Sequence, residues 1–243
     1  MQNIEYKSEQ ISEYYQTNRM SYDDFYPSEK VIIEKVFSEE NAKSVLDIGC
    51  ACGGLGKALS DEFNISQYIG IDINKEAINW AKKNNILNIP HQYIADDILN
   101  IDIEQADVVF SLSCADWNIQ TDAIIQKSWQ SVKEGGILIM SLRLTKEESI
   151  NDITKSYQYI DFFNKEEKKE KANYVIYNIN DSLNLFDKLS PPPSEVNAYG
   201  YYGQPSKTAI VPYDKLLFSV FAIKKDVANS TRVKLNFPIE VFV

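Results

Sequence analysis

Histidine is nearly missing from this chain of 243 residues: His91 stands alone. Cysteine is scarce as well. Cys50, Cys52 and Cys114 cannot build a secreted disulfide framework, and an odd count with close spacing points to reduced thiols in a cytosol. Cys50-x-Cys52 alone is too weak a signal for a metal site. No apolar run approaches the ~18 residues of a membrane span. Residues 1–10 are polar and mixed in charge, so no signal peptide is expected. Basic residues are also in deficit. Lys+Arg 25 against Asp+Glu 35 gives a net charge of −10. Such a surface repels phosphate backbones and anionic membranes alike. These gaps predict a cytoplasmic chain with no nucleic-acid or membrane partner.

What is present is globular. The chain is 44% hydrophobic, 12% aromatic and 25% charged, which excludes a disordered or fibrous protein. It is long enough to bury a core without disulfides. The first forty residues read as helical, with an amphipathic stretch from Ile11 and a second helix opened by Pro27. From Ser44 strand and helix alternate. Apolar runs at 44–48, 68–72, 92–95, 106–112 and 136–142 read as parallel strands between helices at 55–63, 75–84 and 123–132. The class is α/β, doubly wound. Beyond strand five, residues 157–163 and 174–178 read as a strand pair. Residues 165–171 read as a solvated charge run, and 182–189 as a helix capped at Asn180-Asp181. Two further strands follow at 196–202 and 215–223. Residues 226–243 carry no assignment, and Phe242 and Val243 are expected to pack on the body or on a second copy of the chain, as in a homodimer. The expectation is one domain over 1–243: a helical lid at 1–43, a core at 44–225 with an insertion at 146–178, and a tail at 226–243.

The strongest motif is Val45-Leu46-Asp47-Ile48-Gly49-Cys50-Ala51-Cys52-Gly53-Gly54, a strand running through a glycine-rich turn into a helix. Glycine lets backbone approach a ligand that a Cβ would obstruct. A dinucleotide fingerprint would need Gly-x-Gly-x-x-Gly, but Ala51 stands at its second glycine. Asp47 is awkward beside a pyrophosphate and welcome beside an ammonium or sulfonium. The turn therefore favours a cationic nucleoside over NAD. Asp72 ends strand two, where a carboxylate can accept from both ribose hydroxyls; Asp96-Asp97-Ile98 follows strand three, within reach of an adenine amino group.

Together with Tyr68-Ile69-Gly70-Ile71-Asp72, Ala95-Asp96-Asp97-Ile98-Leu99 and Gly135-Gly136-Ile137-Leu138, this turn resembles the class I S-adenosylmethionine-dependent methyltransferases over residues 44–225. The resemblance implies a Rossmann-like, seven-stranded, mostly parallel sheet whose last strand is antiparallel. It implies S-adenosylmethionine as cofactor and S-adenosylhomocysteine as product. Asp47 and Gly49 would hold the methionine part and Asp72 the ribose. Ile73 would lie against the adenine face, Asp97 with Ile98 at the adenine edge, and Ser113 on the methionine side. An N-terminal lid would close Arg19 and Tyr26 over the cofactor carboxylate. Ala51 departs from the glycine many members carry. A looser resemblance, through Asn18-Arg19, Tyr26-Pro27-Ser28-Glu29, Ser141-Leu142-Arg143-Leu144-Thr145, Ser156-Tyr157-Gln158-Tyr159-Ile160 and Tyr199-Gly200-Tyr201-Tyr202, is to bacterial methyltransferases of surface-polysaccharide biosynthesis, serving sugar methylation or methyl phosphoramidate decoration.

The acceptor chemistry has few candidates. His91 opens strand three at the edge away from the cofactor, so it offers no base. Asp116, beyond strand four, could accept a proton or position the acceptor, or merely serve as a loop acid. Trp117 could wall the site. Arg143, after strand five, could clamp a phosphate or carboxylate, or pair at the surface. Tyr14 near the start, and Tyr201 before a loop at 203–206, suit a polar, ring-shaped acceptor. The reading is O-methylation of a small acidic or sugar-like molecule. N-methylation of a metabolite, methylation of a macromolecule and a non-catalytic cofactor-binding partner are the alternatives.

Overall fold

The computed structural model describes residues 4, 6, 9–38, 41–160, 170–228 and 230–238, with the backbone alone at 9 and 10. Two helices come first, α1 (Glu9–Thr17) and α2 (Pro27–Val36), the second opening on Pro27 as expected. Alternation then follows: β1 (Lys43–Ile48), α3 (Gly54–Glu62), β2 (Ile65–Asp72), α4 (Lys75–Asn84), β3 (His91–Ala95), β4 (Ala106–Ser111), α5 (Thr121–Gln130) and β5 (Val132–Thr145). The second half holds β6 (Tyr157–Tyr159), β7 (Lys171–Asn173), β8 (Tyr177–Asn178), α6 (Ile179–Asp187), β9 (Glu195–Gly203), β10 (Ala209–Ile210), β11 (Leu216–Lys224) and β12 (Arg232–Asn236).

The main sheet runs β12-β9-β11-β5-β4-β1-β2-β3, with β8 beside β5. β11 is antiparallel to both β5 and β9, and the ladders of β1 to β5 are parallel. This is the doubly wound sheet with one antiparallel strand near its edge. It is wider than the seven strands expected, because the tail supplies β12, parallel to β9, and Tyr177–Asn178 adds β8. Successive side chains serve opposite faces. Leu46, Val109, Leu138 and Met140 pack with α5 and α6 on one side; Val45, Val108, Phe110 and Ile139 pack with α2, α3 and α4 on the other.

The insertion differs in register from the sequence reading. β6 pairs with Lys171–Asn173 rather than with 174–178, and β10 adds a third strand to form a small second sheet. Tyr174, Val175 and Ile176 are instead buried between the two sheets' strands. The α6 helix starts earlier than expected because Asn178 caps it, its side chain accepting from the Asn180 N–H at 2.9 Å. Residues 161–163 of the expected strand, 165–169 of the charge run, and Phe242 and Val243 lie outside the described residues.

Candidate active site

Parallel strands β1, β2, β3 and β4 all end on one edge of the sheet, and a cavity of about 550 Å³ opens there. That is where ligands of open α/β sheets bind, and the volume suits a small molecule. Asp47, Gly49, Asp72, Ile73, Asp97, Ile98 and Ser113 all line it, together with Arg19, Tyr14 and Trp117 from the lid and from the turn after β4.

Backbone strain gathers at the same place. The non-glycine residues with left-handed backbone among those described are Tyr6, Arg19, Ala51 and Ser113, with φ of 49°, 62°, 48° and 49°. All four line the cavity. Such conformations cost about 1–3 kcal/mol each and persist where the surroundings impose them, commonly at functional sites. Gly49 (φ 83°) has a different reason for lacking a side chain than the sequence suggested: its Cβ would fall 2.6 Å from Cys114 Sγ, so the missing group makes room for a neighbouring side chain. At Gly54 a Cβ would lie 1.9 Å from the Arg19 carbonyl oxygen, which seats the lid directly on the start of α3.

Asp47 is buried, and Tyr68 donates its hydroxyl to Asp47 Oδ2 at 2.7 Å. Burial pushes the carboxyl up to about 7, with the Tyr68 bond and the Arg19 charge pulling the other way and Asp72 adding to the rise. A carboxylate in this state lacks a cation. Asp72 accepts the Ala51 N–H on Oδ2 and the Asn74 N–H on Oδ1, both at 2.8 Å. It is raised chiefly by burial, and its two oxygens retain lone pairs for further donors. Asp97 caps the turn 98–100 by accepting the Leu99 N–H at 3.0 Å, and Asp96 accepts the Asp97 N–H at 2.8 Å. Both acids line the cavity. The Ser113 N–H is held by Ser141 Oγ at 2.7 Å.

Arg19 is committed to the lid. Its Nη2 lies 3.0 Å from Oε1 of Glu29, which is 1% exposed, and its guanidinium covers the Phe25 ring at 4.4 Å. Tyr14 stands at the mouth, 56% exposed. Three expected site residues are placed otherwise. Asp116 and Arg143 are not among the lining residues. They form a buried ion pair, Nε to Oδ2 at 2.9 Å, and Arg143 also donates to the Asp116 carbonyl. The guanidinium lies 3.7 Å from the Tyr174 ring centre and 4.3 Å from that of Trp117. Asp116 Oδ1 keeps no hydrogen-bond partner among the described residues, but neither side chain reaches the cavity wall, so the structure does not bring the expected base, Asp116, or the expected anion clamp, Arg143, to the site. Tyr201 stacks on Phe218 at 6.0 Å along β9 and does not line the cavity either.

Sequence reasoning missed several lining residues. Tyr6 lies half-buried in the wall, its carbonyl accepting from Asn74 Nδ2 at 3.0 Å, and the enclosure of its phenol holds that group well above 10. Gln158 also lines the cavity, as do Asn118 and Ser206, which fall in the two segments, 113–118 and 203–206, that the sequence places near the site. His91 opens β3 and meets the Tyr93 ring edge to face, at the other end of the strand from the cavity. Among the described residues no helix is long and apolar enough to cross a membrane.

Residues 45–136 match a family described as a methyltransferase domain. A carboxy-S-adenosyl-L-methionine synthase of Helicobacter hepaticus is 30% identical over 132 residues, 51% of this chain and 55% of that protein. The U6 snRNA methylphosphate capping enzyme Amus of Drosophila melanogaster is 32% identical over 92 residues, 31% of each. The chain thus spans about half the length, or less, of the curated relatives it matches. An S-adenosylmethionine-dependent methyltransferase of Clostridium acetobutylicum superposes with TM-score 0.54 at 15% identity, covering 82% of this chain and 91% of that one. The [4+2]-cyclase SpnF superposes with TM-score 0.55 at 12% identity, covering 82% and 80%. At these identities both structures speak to the fold alone.

Proposed function

We propose that this chain, whose residues 45–136 match a methyltransferase domain family, is a class I S-adenosylmethionine-dependent methyltransferase that moves a methyl group from that cofactor to an oxygen of a small polar acceptor. The observation that carries the reading is the gathering of Asp47, Asp72 and Asp97, each from a different strand end, around one cavity. The residues fit the cofactor. Asp47, buried and short of a cation, would pair with the ammonium of its methionine part. Asp72, with lone pairs to spare, would accept from the ribose hydroxyls. Asp97 with Ile98 would meet the adenine edge, Ile73 its face, and Ser113 the methionine side.

Bound there, the cofactor supplies an electrophilic methyl on a sulfonium sulfur. The protein's part is to orient the acceptor and keep water from the line of attack. Asp47, Asp72, Asp97 and Ser113 would hold the cofactor so that its methyl could pass to the acceptor oxygen, whose proton would leave to water at the cavity mouth. The pairing of Arg143 with Asp116 removes the group on which an anionic acceptor rested, so the sugar-like acceptor is retained. The net charge of −10 argues for a small molecule over RNA. Surface-polysaccharide biosynthesis in a cytoplasm is the setting we propose. Calorimetric titration with S-adenosylhomocysteine tests the reading. Micromolar binding, about −8 kcal/mol, is expected; absence of heat and of thermal shift would refute it. Label transfer from the cofactor to tRNA would turn the reading toward a nucleic-acid acceptor.

A further inference from the structure

The acids at the ends of β1, β2 and β3 belong to the cofactor on the reading above. In the sheet order β5-β4-β1-β2-β3, that leaves the β4 end of the cavity for the acceptor. The chain beyond β4 supplies Trp117 and Asn118, neighbours in sequence that both line the cavity.

Asn118 is 8% exposed and held from several directions. Its N–H donates to the Ala115 carbonyl at 3.2 Å, and its own carbonyl accepts from the Thr121 hydroxyl at 2.7 Å. Its side-chain Nδ2 donates to the Cys114 carbonyl at 2.8 Å, which fixes which way round the amide stands. The other amide atom, Oδ1, has no hydrogen-bond partner among the described residues and, unlike Asp116 Oδ1, is not sealed from solvent. A fixed, reachable acceptor on a cavity wall is satisfied by a ligand that donates to it and stranded by one that displaces water without donating. Trp117 is mounted as firmly. The Arg143 guanidinium lies 4.3 Å from its ring centre, and the Tyr174 ring meets it edge to face at 5.2 Å. The C–H groups of a saturated ring rest well on the negative face of an indole, and a hydroxyl of the same ring can donate to the adjacent amide.

We infer that Asn118 and Trp117 form the acceptor subsite, that the acceptor is a pyranose-like ring lying against Trp117, and that Asn118 Oδ1 reads one ring hydroxyl other than the one methylated. The inference rests on the methyl-transfer reading. The full chain is given S-adenosylmethionine with a tritiated methyl group and offered methyl glucoside, methyl galactoside and methyl mannoside. Label is expected on at least one, and the monodeoxy forms of the best acceptor are then compared. One of them should lose about tenfold or more in kcat/KM with the wild type, mainly through KM. Asn118→Ser keeps a hydroxyl able to donate to the Cys114 carbonyl four residues back, and withdraws the free oxygen. With Asn118→Ser, or with Asn118→Ala should the first not fold, that deoxy penalty should shrink to within about twofold. Structural damage alone would lower the parent and deoxy acceptors alike. S-adenosylhomocysteine affinity should stay within about twofold, and Trp117→Ala should raise KM for every labelled pyranoside. A deoxy penalty that survives in the variants, no penalty from any deoxy form, or no label on any pyranoside while the wild type binds S-adenosylhomocysteine would each overturn the inference. So would a tenfold loss of S-adenosylhomocysteine affinity in a folded Asn118 variant, which would put Asn118 on the cofactor. Absence of S-adenosylhomocysteine binding by the wild type would instead overturn the methyl-transfer reading beneath it.

Discussion

With the cofactor ammonium placed on Asp47, as proposed, cofactor affinity should depend on pH. Burial raises its carboxyl to about 7, so near neutrality only about half of the free protein carries the anion that would meet the ammonium. If binding needs that anion, apparent Kd scales as one plus the ratio of protonated to ionised Asp47. That factor is about 2 at pH 7 and about 30 at pH 5.5. Affinity for S-adenosylhomocysteine should therefore fall about 15-fold over this interval, roughly 1.6 kcal/mol. Binding should release a proton, so the calorimetric heat at about pH 6.5 should differ between two buffers of unlike ionisation enthalpy. The sign for the free protein is opposite. A carboxyl raised in the folded state binds its proton more tightly there than in the unfolded chain. Its contribution to stability is therefore full below about pH 4 and is lost as pH rises through about 7. Asp47→Asn should weaken binding and flatten the pH profile. A wild-type Kd constant between about pH 5.5 and 7, with no proton release, would refute the placing of the ammonium on Asp47.

Other outcomes follow from the same geometry. Tyr68→Phe deletes the hydrogen bond that holds Asp47 down, so the midpoint of the pH profile should move above 7; an unmoved midpoint in the same titration would count against the coupling. Asp72→Ala should cost about 1.5–3 kcal/mol of S-adenosylhomocysteine binding, roughly ten- to a hundredfold, and should lower the Tm of the free protein because the Ala51 and Asn74 amides lose their acceptor. Arg143→Leu strands Asp116 as a buried, unpaired acid and should cost about 3–5 kcal/mol in urea unfolding, while Arg143→Leu with Asp116→Leu recovers much of it. Wild-type stability of Arg143→Leu together with a raised acceptor KM would return Arg143 to the acceptor site. Gly49→Ala should destabilise the fold, since Cys114 must give way; Cys114→Ala in the same chain should restore part of the loss on thermal unfolding.

Much of the sheet was legible because its signals are local. β1 to β4 are short apolar runs closed by an acid, a glycine turn or a serine, and an acid that closes a parallel strand falls on the ligand edge whatever the rest of the chain does. Asp47, Asp72 and Asp97 could be placed for that reason. β12 was missed because an exposed edge strand, Arg232–Asn236, carries too little apolar pattern to stand out. β7 was misplaced because Tyr174, Val175 and Ile176 are the more strand-like residues, yet they are spent in the core rather than on a ladder with β6. Gln158 is brought to the cavity by a sheet whose strands come from residues 157–159, 171–173 and 209–210, a pairing that no local pattern records.

Charge was the hardest property to read, because a charged residue acts on a ligand only if the fold leaves it unpaired. Arg19, Asp116 and Arg143 each looked reactive alone. The fold joins Arg19 to Glu29 ten residues away and Arg143 to Asp116 twenty-seven residues away, neutralising both cations internally. Asp47 has no ion-pair partner among the described residues: burial raises its pKa, Asp72 adds to the rise, and the Tyr68 hydroxyl and the more distant Arg19 charge offset only part of it. The balance left on the cavity wall is therefore negative at the β1 and β2 ends and neutral around Gln158. On the proposed reading, the acid-lined end suits a cationic methyl donor, and with Arg19 and Arg143 each paired to a carboxylate the described wall offers an anionic acceptor no unpaired arginine.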